Sequence, residues 1–153
     1  MNKKYLLLLF FSILLLTGCN KEVITKCELT SDQSLNGYNI YTKYDIYSEK
    51  ELVNKVIIKQ KISSKNKTIL SHYEKQLNEL YKNNNANYGG YSSKIINKDG
   101  KITSTTTIDY NKMDLKKYVK DNPAMRKYIN NKNQVTLSNM IKMYELTGTK
   151  CEK

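Results

Sequence analysis

The sequence predicts one domain of the α+β class, with a long amphipathic helix and a C-terminal helix packed on one face of an antiparallel β-sheet. Apolar and polar residues alternate over residues 38–47 and 52–62, which is the period of a β-strand. Over residues 64–83 the apolar residues recur every three or four positions, which is the period of a helix. Strands lie on both sides of this helix in the chain, an order typical of an antiparallel sheet with helices on one side.

The first 19 residues have the pattern of a lipoprotein signal peptide. Lys3 and Lys4 precede twelve residues, 5–16, that are apolar apart from Ser12. This run is too short to cross a bilayer as a helix, which takes about 20 residues. It ends in Leu16-Thr17-Gly18-Cys19, which resembles a bacterial lipobox.

This motif divides the chain into three parts. We expect residues 1–18 to be removed as a signal peptide and Cys19 to receive a diacylglycerol group. Residues 19–23 would then form a lipidated tether, and residues 24–153 a single domain. An ordinary secretory signal peptide is the alternative. The predicted location is the outer, extracytoplasmic face of the cell membrane, where the lipid anchor holds the protein.

The charge of the chain argues against a nucleic-acid partner. The 153 residues carry 26 basic and 14 acidic side chains, and loss of Lys3 and Lys4 leaves a net charge of +10. Arg126 is the only arginine, and the lysines are spread along the chain, whereas nucleic-acid surfaces favour arginine and a localised basic stripe. A solvated lysine surface is the first interpretation, and attraction to an anionic cell-envelope polymer or to a protein partner is the second.

Three strands are predicted before the long helix. Residues 24–30 form the first strand, and the Asn36-Gly37 pair indicates a hairpin turn after it. In the second strand Tyr38, Ile40, Thr42, Tyr44 and Ile46 share the buried face. The third strand, residues 52–62, carries three lysines on the face opposite its apolar residues.

The helix over residues 64–83 has an apolar stripe and should end in the polar tract at residues 83–87. The stripe consists of Ile69, Leu70, Tyr73, Leu77, Leu80 and Tyr81. His72 lies beside the stripe, and we interpret it as a surface residue. Tyr88-Gly89-Gly90-Tyr91 follows the tract; it is a loop with two anchoring tyrosines or, alternatively, the lining of a sugar-binding groove.

Residues 91–110 form a second hairpin, because the Asp99-Gly100 dipeptide favours a tight turn. A short helical turn is expected over residues 113–119 with a cap near Asn111. The last helix begins at Thr136 or Ser138 and has a buried stripe of Leu137, Met140, Ile141 and Tyr144. Gly148 has the position of a C′ glycine, after which Cys151 returns to the sheet.

Cys27 and Cys151 are left if Cys19 is acylated, and a disulfide between them is the natural inference for an exported chain. Two buried thiols are the alternative. The single histidine and the absence of a CxxC pair make the usual zinc or thioredoxin-type spacing impossible, so we expect no metal and no cofactor.

The chain resembles the YehR-type lipoproteins, a bacterial family of small domains. The resemblance rests on the lipobox, on ITKCELT at residues 24–30, on IDYNKMDLKKY at residues 108–118 and on Gly148–Cys151. It covers most of residues 22–153. The resemblance implies an α+β fold and a lipid anchor, and it supplies no catalytic residues.

The leading functional prediction is a non-catalytic binding or interaction module at the cell surface. The sequence contains no GxSxG motif, phosphate-binding loop or dinucleotide loop. The alternative is a carrier that holds a small apolar ligand between the sheet and the long helix. An enzyme is the third possibility, because catalytic groups assembled across a fold need not be visible in sequence.

Overall fold

The computed structural model describes residues 21–152 and begins with three long strands that pair in succession. They are β1 (Glu22–Gln33), β2 (Tyr38–Glu49) and β3 (Leu52–Ser64), and both pairings are antiparallel. A 3-10 turn over Ser34–Asn36 joins β1 to β2 and is followed by Gly37, whose φ of 82° suits glycine. The hairpin predicted at Asn36-Gly37 is therefore confirmed.

The first strand is longer than the sequence analysis predicted. β1 pairs with β2 from its first residue, because Glu22 lies opposite Glu49, and the pairing continues to Gln33 opposite Tyr38. Glu22 and Val23, which we had assigned to the tether, therefore belong to the sheet. Of the other three tether residues, Lys21 precedes β1, and Cys19 and Asn20 lie outside the described residues, as does the predicted signal peptide.

The long helix, α1, spans Lys67–Tyr88. The side chain of Asn66 caps it by accepting hydrogen bonds from two N–H groups of the first turn, at 2.9 and 3.4 Å. The prediction that this helix ends at Asn83 was wrong, because it continues to Tyr88. The low helix propensity of the asparagine tract is outweighed by packing at the helix end, where the Tyr88 ring meets the Tyr118 ring edge-on at 5.1 Å.

The second hairpin adds two strands beside β3. β4 (Tyr91–Lys98) and β5 (Lys101–Asp109) are joined by Asp99 and Gly100, both with positive φ, as the sequence predicted. β5 pairs antiparallel with β3 because α1 crosses the sheet and returns the chain to that edge. The final order is β4-β5-β3-β2-β1-β6, where β6 is Lys150–Cys151.

The C-terminal third of the chain covers one end of the same sheet face. It contains α2 (Leu115–Asp121), a 3-10 segment (Pro123–Tyr128) and α3 (Leu137–Glu145). Asp114 caps α2 by accepting from the Lys117 N–H at 3.0 Å, so the predicted cap near Asn111 was wrong. Thr136 caps α3, and Gly148 lies one position beyond C′ with a φ of 84°.

The buried residues form two groups on the helix-covered face of the sheet. The smaller group joins Ile62 and Ile102 of the sheet to Leu70 of α1. The larger group lies under the C-terminal helices and contains Cys27, Ile46, Val53, Val56, Met113, Leu115, Ile129, Val135 and Met140. Leu80, predicted to lie in the buried stripe, is 51% exposed, because the partly buried face of α1 continues through Leu77, Tyr81 and Asn84 and Leu80 lies beside it. The predicted α+β fold with helices on one face is thus confirmed.

Candidate functional site

A cavity of about 130 Å³, partly open to the surface, lies between the sheet and the C-terminal helices. Its floor is formed by β4, β5 and the residue that follows β5. Its roof is formed by α2, the 3-10 segment and α3. The lining residues are Tyr91, Ile108, Tyr110, Met113, Leu115, Tyr118, Met125, Tyr128, Ile129, Val135, Met140, Met143 and Tyr144. The cavity therefore lies under the short helices and not under α1, where we had expected a carrier to hold its ligand.

Backbone hydrogen bonds tie the roof of the cavity to the sheet. The Val53 N–H of β3 donates to the Val135 carbonyl at 3.0 Å, and the Leu137 N–H donates to the Glu51 carbonyl at 2.9 Å. At the other side of the roof, the Asp114 N–H donates to the Tyr88 carbonyl at 2.8 Å. These bonds hold the segments before α2 and α3 at fixed positions, so the space between roof and floor is built into the fold.

The connection after α1 brings one wall of the cavity close to the sheet. Gly90 has a φ of 74°, and a Cβ at this position would lie 2.5 Å from the Asp109 carbonyl oxygen. Only glycine permits so close an approach of the two backbones. Tyr88 and Tyr91 on either side of the glycines are partly buried and pack against the larger buried group. This packing favours the anchoring interpretation of the Tyr-Gly-Gly-Tyr segment over a sugar-binding groove.

Methionine and tyrosine dominate the walls of the cavity. Four of the lining residues are methionines, whose flexible and polarizable side chains adapt to the shape of an apolar ligand. Five are tyrosines, which combine a large apolar ring with a hydroxyl group. Of the described residues, those in the lining include no carboxylate, histidine or lysine, so the site offers apolar contacts and phenol groups.

Burial raises the pKa of several phenol groups in the cavity wall. It is the main cause that raises the pKa of Tyr110 well above the usual value of 10, and the neighbouring Tyr144, Tyr91 and Tyr118 add to the effect. Burial also raises the pKa of Tyr91 and of Tyr144, again with smaller contributions from nearby tyrosines. These phenol groups, like any tyrosine neutral at physiological pH, therefore stay neutral to a higher pH than an exposed tyrosine.

The volume of the cavity suits a ligand of about six non-hydrogen atoms. An engineered protein cavity of about 150 Å³ with an apolar lining binds benzene. At about 130 Å³ the present cavity is of similar size. Its own side chains leave this space empty, although interiors of native proteins are normally packed without such gaps.

A second, larger depression lies at the opposite end of the sheet and is open to solvent. It occupies about 1170 Å³ between the β1–β2 turn, the start of α1 and the β4–β5 turn. Most of its lining residues have polar side chains, among them Lys65, Lys67, Lys98 and Asp99. This surface could attract an anion, but it does not enclose a ligand.

The two predicted disulfide cysteines meet at the edge of the sheet. Cys27 of β1 lies opposite Cys151 of β6, with the Sγ atoms 2.06 Å apart and the Cα atoms 4.0 Å apart. The Glu152 N–H donates to the Lys26 carbonyl at 2.8 Å, so these two residues form a hydrogen-bonded pair. Because the two kinds of pair alternate along antiparallel strands, the adjacent Cys27 and Cys151 form a non-hydrogen-bonded pair. Side chains are closest at such positions. The structure therefore shows a disulfide-compatible pair in a buried setting, since Cys27 is 1% exposed.

The other residues singled out from the sequence do not form a site. Cys19, the predicted lipidation residue, lies outside the described residues. His72 is exposed on α1. Within residues 21–152 there is no group of three or more histidine, cysteine, aspartate or glutamate side chains that could hold a metal ion. No helix in the same part of the chain is long and apolar enough to cross a membrane.

Sequence reasoning found several lining residues but missed the cavity itself. Met140 and Tyr144 were predicted as buried positions of the last helix. Met125 and Tyr128 lie in a segment without a clear period, so no pattern indicated that they meet the sheet. The spacing of apolar residues identifies the buried face of a helix or strand. It does not show whether the side chains of two packed elements fill the space between them.

Two solved structures have a similar fold. The NMR structure of the Escherichia coli protein YehR matches with a TM-score of 0.58 and 22% identity, over 88% of this chain and 94% of YehR. The chain has a YehR-like fold. An NMR structure from Streptococcus pneumoniae TIGR4 matches with a TM-score of 0.50 and 15% identity, over 89% of this chain and 88% of the other. No protein-family model and no curated protein matches the sequence. The predicted resemblance is thus confirmed for the fold, and membership of a lipoprotein family stays a prediction.

Proposed function

We propose that this protein is a non-catalytic binding module that holds a small apolar ligand in the tyrosine–methionine cavity. The observation that carries the proposal is the empty space of about 130 Å³ between the sheet and the C-terminal helices. Filling such a space with an apolar molecule restores the dispersion contacts that its walls lack. The described lining residues include no carboxylate, histidine, lysine, serine or cysteine, the side chains most often used in hydrolytic chemistry, which supports binding over catalysis.

The proposal includes a lipid anchor at Cys19 on the extracytoplasmic side of the membrane. Its support is the lipobox at residues 16–19 together with the start of β1 at Glu22, three positions after Cys19. A lipid on Cys19 would hold the sheet close to the membrane surface, where apolar molecules concentrate. The disulfide between Cys27 and Cys151 fits the same location, because such bonds persist outside the cytoplasm.

Ligand binding can be tested through the methionine methyl groups. The chain has five methionines, and four of them line the cavity. Protein labelled with ¹³C at these methyl groups should show shifts of the four cavity signals on titration with benzene, and saturating benzene should raise the melting temperature. Native mass spectrometry of protein isolated from its own cells, followed by solvent extraction, would identify the natural ligand.

A filled-cavity variant provides the control for this titration. In Val135→Phe the larger side chain should occupy the cavity and abolish the shifts. The matched variant Val23→Phe places the same ring at an exposed position of β1 and should bind benzene like the original protein. If the original protein shows neither methyl shifts nor a higher melting temperature at saturating benzene, the proposed function is wrong.

A second candidate function is attraction to anionic cell-envelope polymers. It is favoured by a group of five lysines at the end of the sheet far from Glu22. None of them forms an ion pair with another described residue. They are Lys61, Lys65, Lys67, Lys98 and Lys101. Binding to polyphosphate should then weaken with added salt and in a Lys65→Gln/Lys67→Gln variant. Binding that is unchanged in the variant would contradict this role.

A further inference from the structure

Three neighbouring side-chain oxygens on the helix-covered face of the sheet are buried without a hydrogen-bond partner among the described residues. They are Gln60 Oε1 of β3 and the hydroxyl oxygens of Ser104 and Thr106 of β5. Ser104 is 3% exposed and Thr106 is 0% exposed. The other end of the Gln60 amide has a partner, because its Nε2 donates to Thr42 Oγ1 at 3.3 Å. Buried polar groups without partners are rare in folded proteins, since each loses its hydrogen bonds to water.

The register of the strands places these three oxygens in one polar cluster, formed by Gln60, Ser104 and Thr106. Gln60 lies directly opposite Ser104 in the antiparallel β3–β5 pair, where opposite Cβ atoms are about 4.5–5.5 Å apart. Thr106 follows Ser104 by two residues, so both side chains point to the same face, about 7 Å apart along the strand. One small molecule can therefore contact side chains of both strands.

The middle of α1 covers the polar cluster. Near the start of α1, Leu70 packs with Ile102 in the smaller buried group. At its end, Tyr88 packs against the larger buried group, as does Ile108. The two β5 residues of the polar cluster lie between Ile102 and Ile108, so the helix passes over them. The polar cluster is thus enclosed between the sheet and α1, with an apolar group on each side.

The chemistry of the polar cluster defines what it can bind. Gln60 Oε1 only accepts hydrogen bonds, whereas the two hydroxyls both donate and accept. None of the three oxygens is charged, so a bound ion would be costly to bury there. A buried water molecule typically makes about three hydrogen bonds to groups of this kind. Two such bonds, each about 2.8 Å long, are enough to bridge neighbouring side chains of the cluster.

We propose that Gln60, Ser104 and Thr106 form an internal binding site for one water molecule beneath α1. The water accepts hydrogen bonds from the two hydroxyls and donates one to Gln60 Oε1, which links β3 to β5. This site is separate from the tyrosine–methionine cavity, whose lining includes none of the three residues. Because its oxygens need hydrogen bonds, the space under the middle of α1 is unsuited to an apolar ligand, in agreement with the position of the cavity under the short helices.

Oxygen-17 relaxation dispersion of the solvent tests the proposal, because water that exchanges slowly from a protein interior adds to the relaxation rate in proportion to its amount. Thr106→Val replaces the hydroxyl with a methyl group of similar size, and Ser104→Ala removes the other hydroxyl. The matched control is Thr105→Val, the same change at the next residue of β5, where the side chain is exposed on the opposite face.

We expect Thr106→Val and Ser104→Ala each to lose the contribution of one slowly exchanging water molecule. Thr105→Val should keep the relaxation of the original protein. An unchanged contribution in folded Thr106→Val and Ser104→Ala would overturn the proposal. Either variant decides the question if the other does not fold.

A high-resolution crystal structure of the original protein provides a second measurement that needs no variant. It should show a water molecule within hydrogen-bond distance of Gln60 Oε1 and of both hydroxyls. Direct hydrogen bonds among the three side chains, with no water between them, would overturn the proposal.

Discussion

Reduction of the disulfide between Cys27 and Cys151 should lower the free energy of unfolding by about 3–5 kcal/mol. The cysteines are separated by 124 positions, so the bond closes a ring of nearly the whole described domain. Loop-closure entropy for a ring of this length amounts to about 5 kcal/mol at 25 °C in the unfolded chain. This value is comparable to the total stability of many small domains, which is about 5–15 kcal/mol.

The native state should recover part of this loss when the bond is broken. β6 has only two residues, and both pair with β1 alone. Without the disulfide this short strand can separate from the sheet and regain about 1–2 kcal/mol of backbone entropy for each residue released. For that reason we expect the measured difference to lie below the full loop-closure value.

Urea unfolding followed by circular dichroism measures this difference directly. The comparison uses a Cys19→Ala background, so that no third thiol can exchange with the bond, in the presence and absence of reductant. The double variant Cys27→Ala/Cys151→Ala is the control and should respond to neither condition. If the bond is intact by mass mapping and reduction changes the unfolding free energy by less than about 1 kcal/mol, the entropic reasoning is refuted. Two alkylated cysteines in air-oxidised, folded protein would refute the bond itself.

Three further predictions concern the anchor, the core and the tyrosines. Cys19→Ala should accumulate as an unprocessed precursor that incorporates no labelled fatty acid; incorporation of label would contradict the anchor. Leu70 is 3% exposed, and Leu70→Ala should lower the free energy of unfolding in urea by about 2–5 kcal/mol. The control Lys75→Ala, at an exposed position, should lower it by about 0.5 kcal/mol or less. Equal losses in the two variants would show that α1 is not packed on the sheet. Burial raises the pKa of Tyr110 and Tyr144 above 10, the usual value for tyrosine. As the pH rises above 10, these tyrosines ionise first in the unfolded chain, which favours unfolding. The stability that they contribute is therefore complete below pH 10 and is lost as the pH rises above it. The urea concentration at the midpoint of unfolding should therefore decrease as the pH is raised from 10 to 12, and it should decrease less in Tyr144→Phe. An equal decrease with pH in both proteins would contradict this account.

Local pattern was sufficient for the strands and their turns. The alternation over residues 38–47 and 52–62 fixed which side chains face the helices, and the structure buries Thr42, Ile46, Val56 and Ile62 on that face. The Asn36-Gly37 and Asp99-Gly100 turns were also visible, because each contains a glycine at a position with positive φ. These features depend only on neighbours in the chain, and sequence reasoning recovers them for that reason.

Features that depend on distant residues were predicted less well. The sequence ended α1 at the asparagine tract, but the contact of Tyr88 with Tyr118 extends the helix to Tyr88. The sequence predicted the cap of α2 near Asn111, but Asp114 caps the helix in the structure. The Asp114 N–H donates a hydrogen bond to the Tyr88 carbonyl, which holds Asp114 at the start of α2. In both cases a partner about 25 to 30 residues away decided the boundary.

The sequence by itself predicted the α+β class, the order of the strands along the chain and the two cysteines that lie opposite each other in β1 and β6. Only the tertiary structure decided where the candidate site lies. Tyr91, Tyr110, Met125 and Tyr144 belong to four different segments, and nothing in any one of them shows that the others are near. The volume between packed elements depends on how side chains from all of them interlock, so the cavity is visible only once the chain is folded.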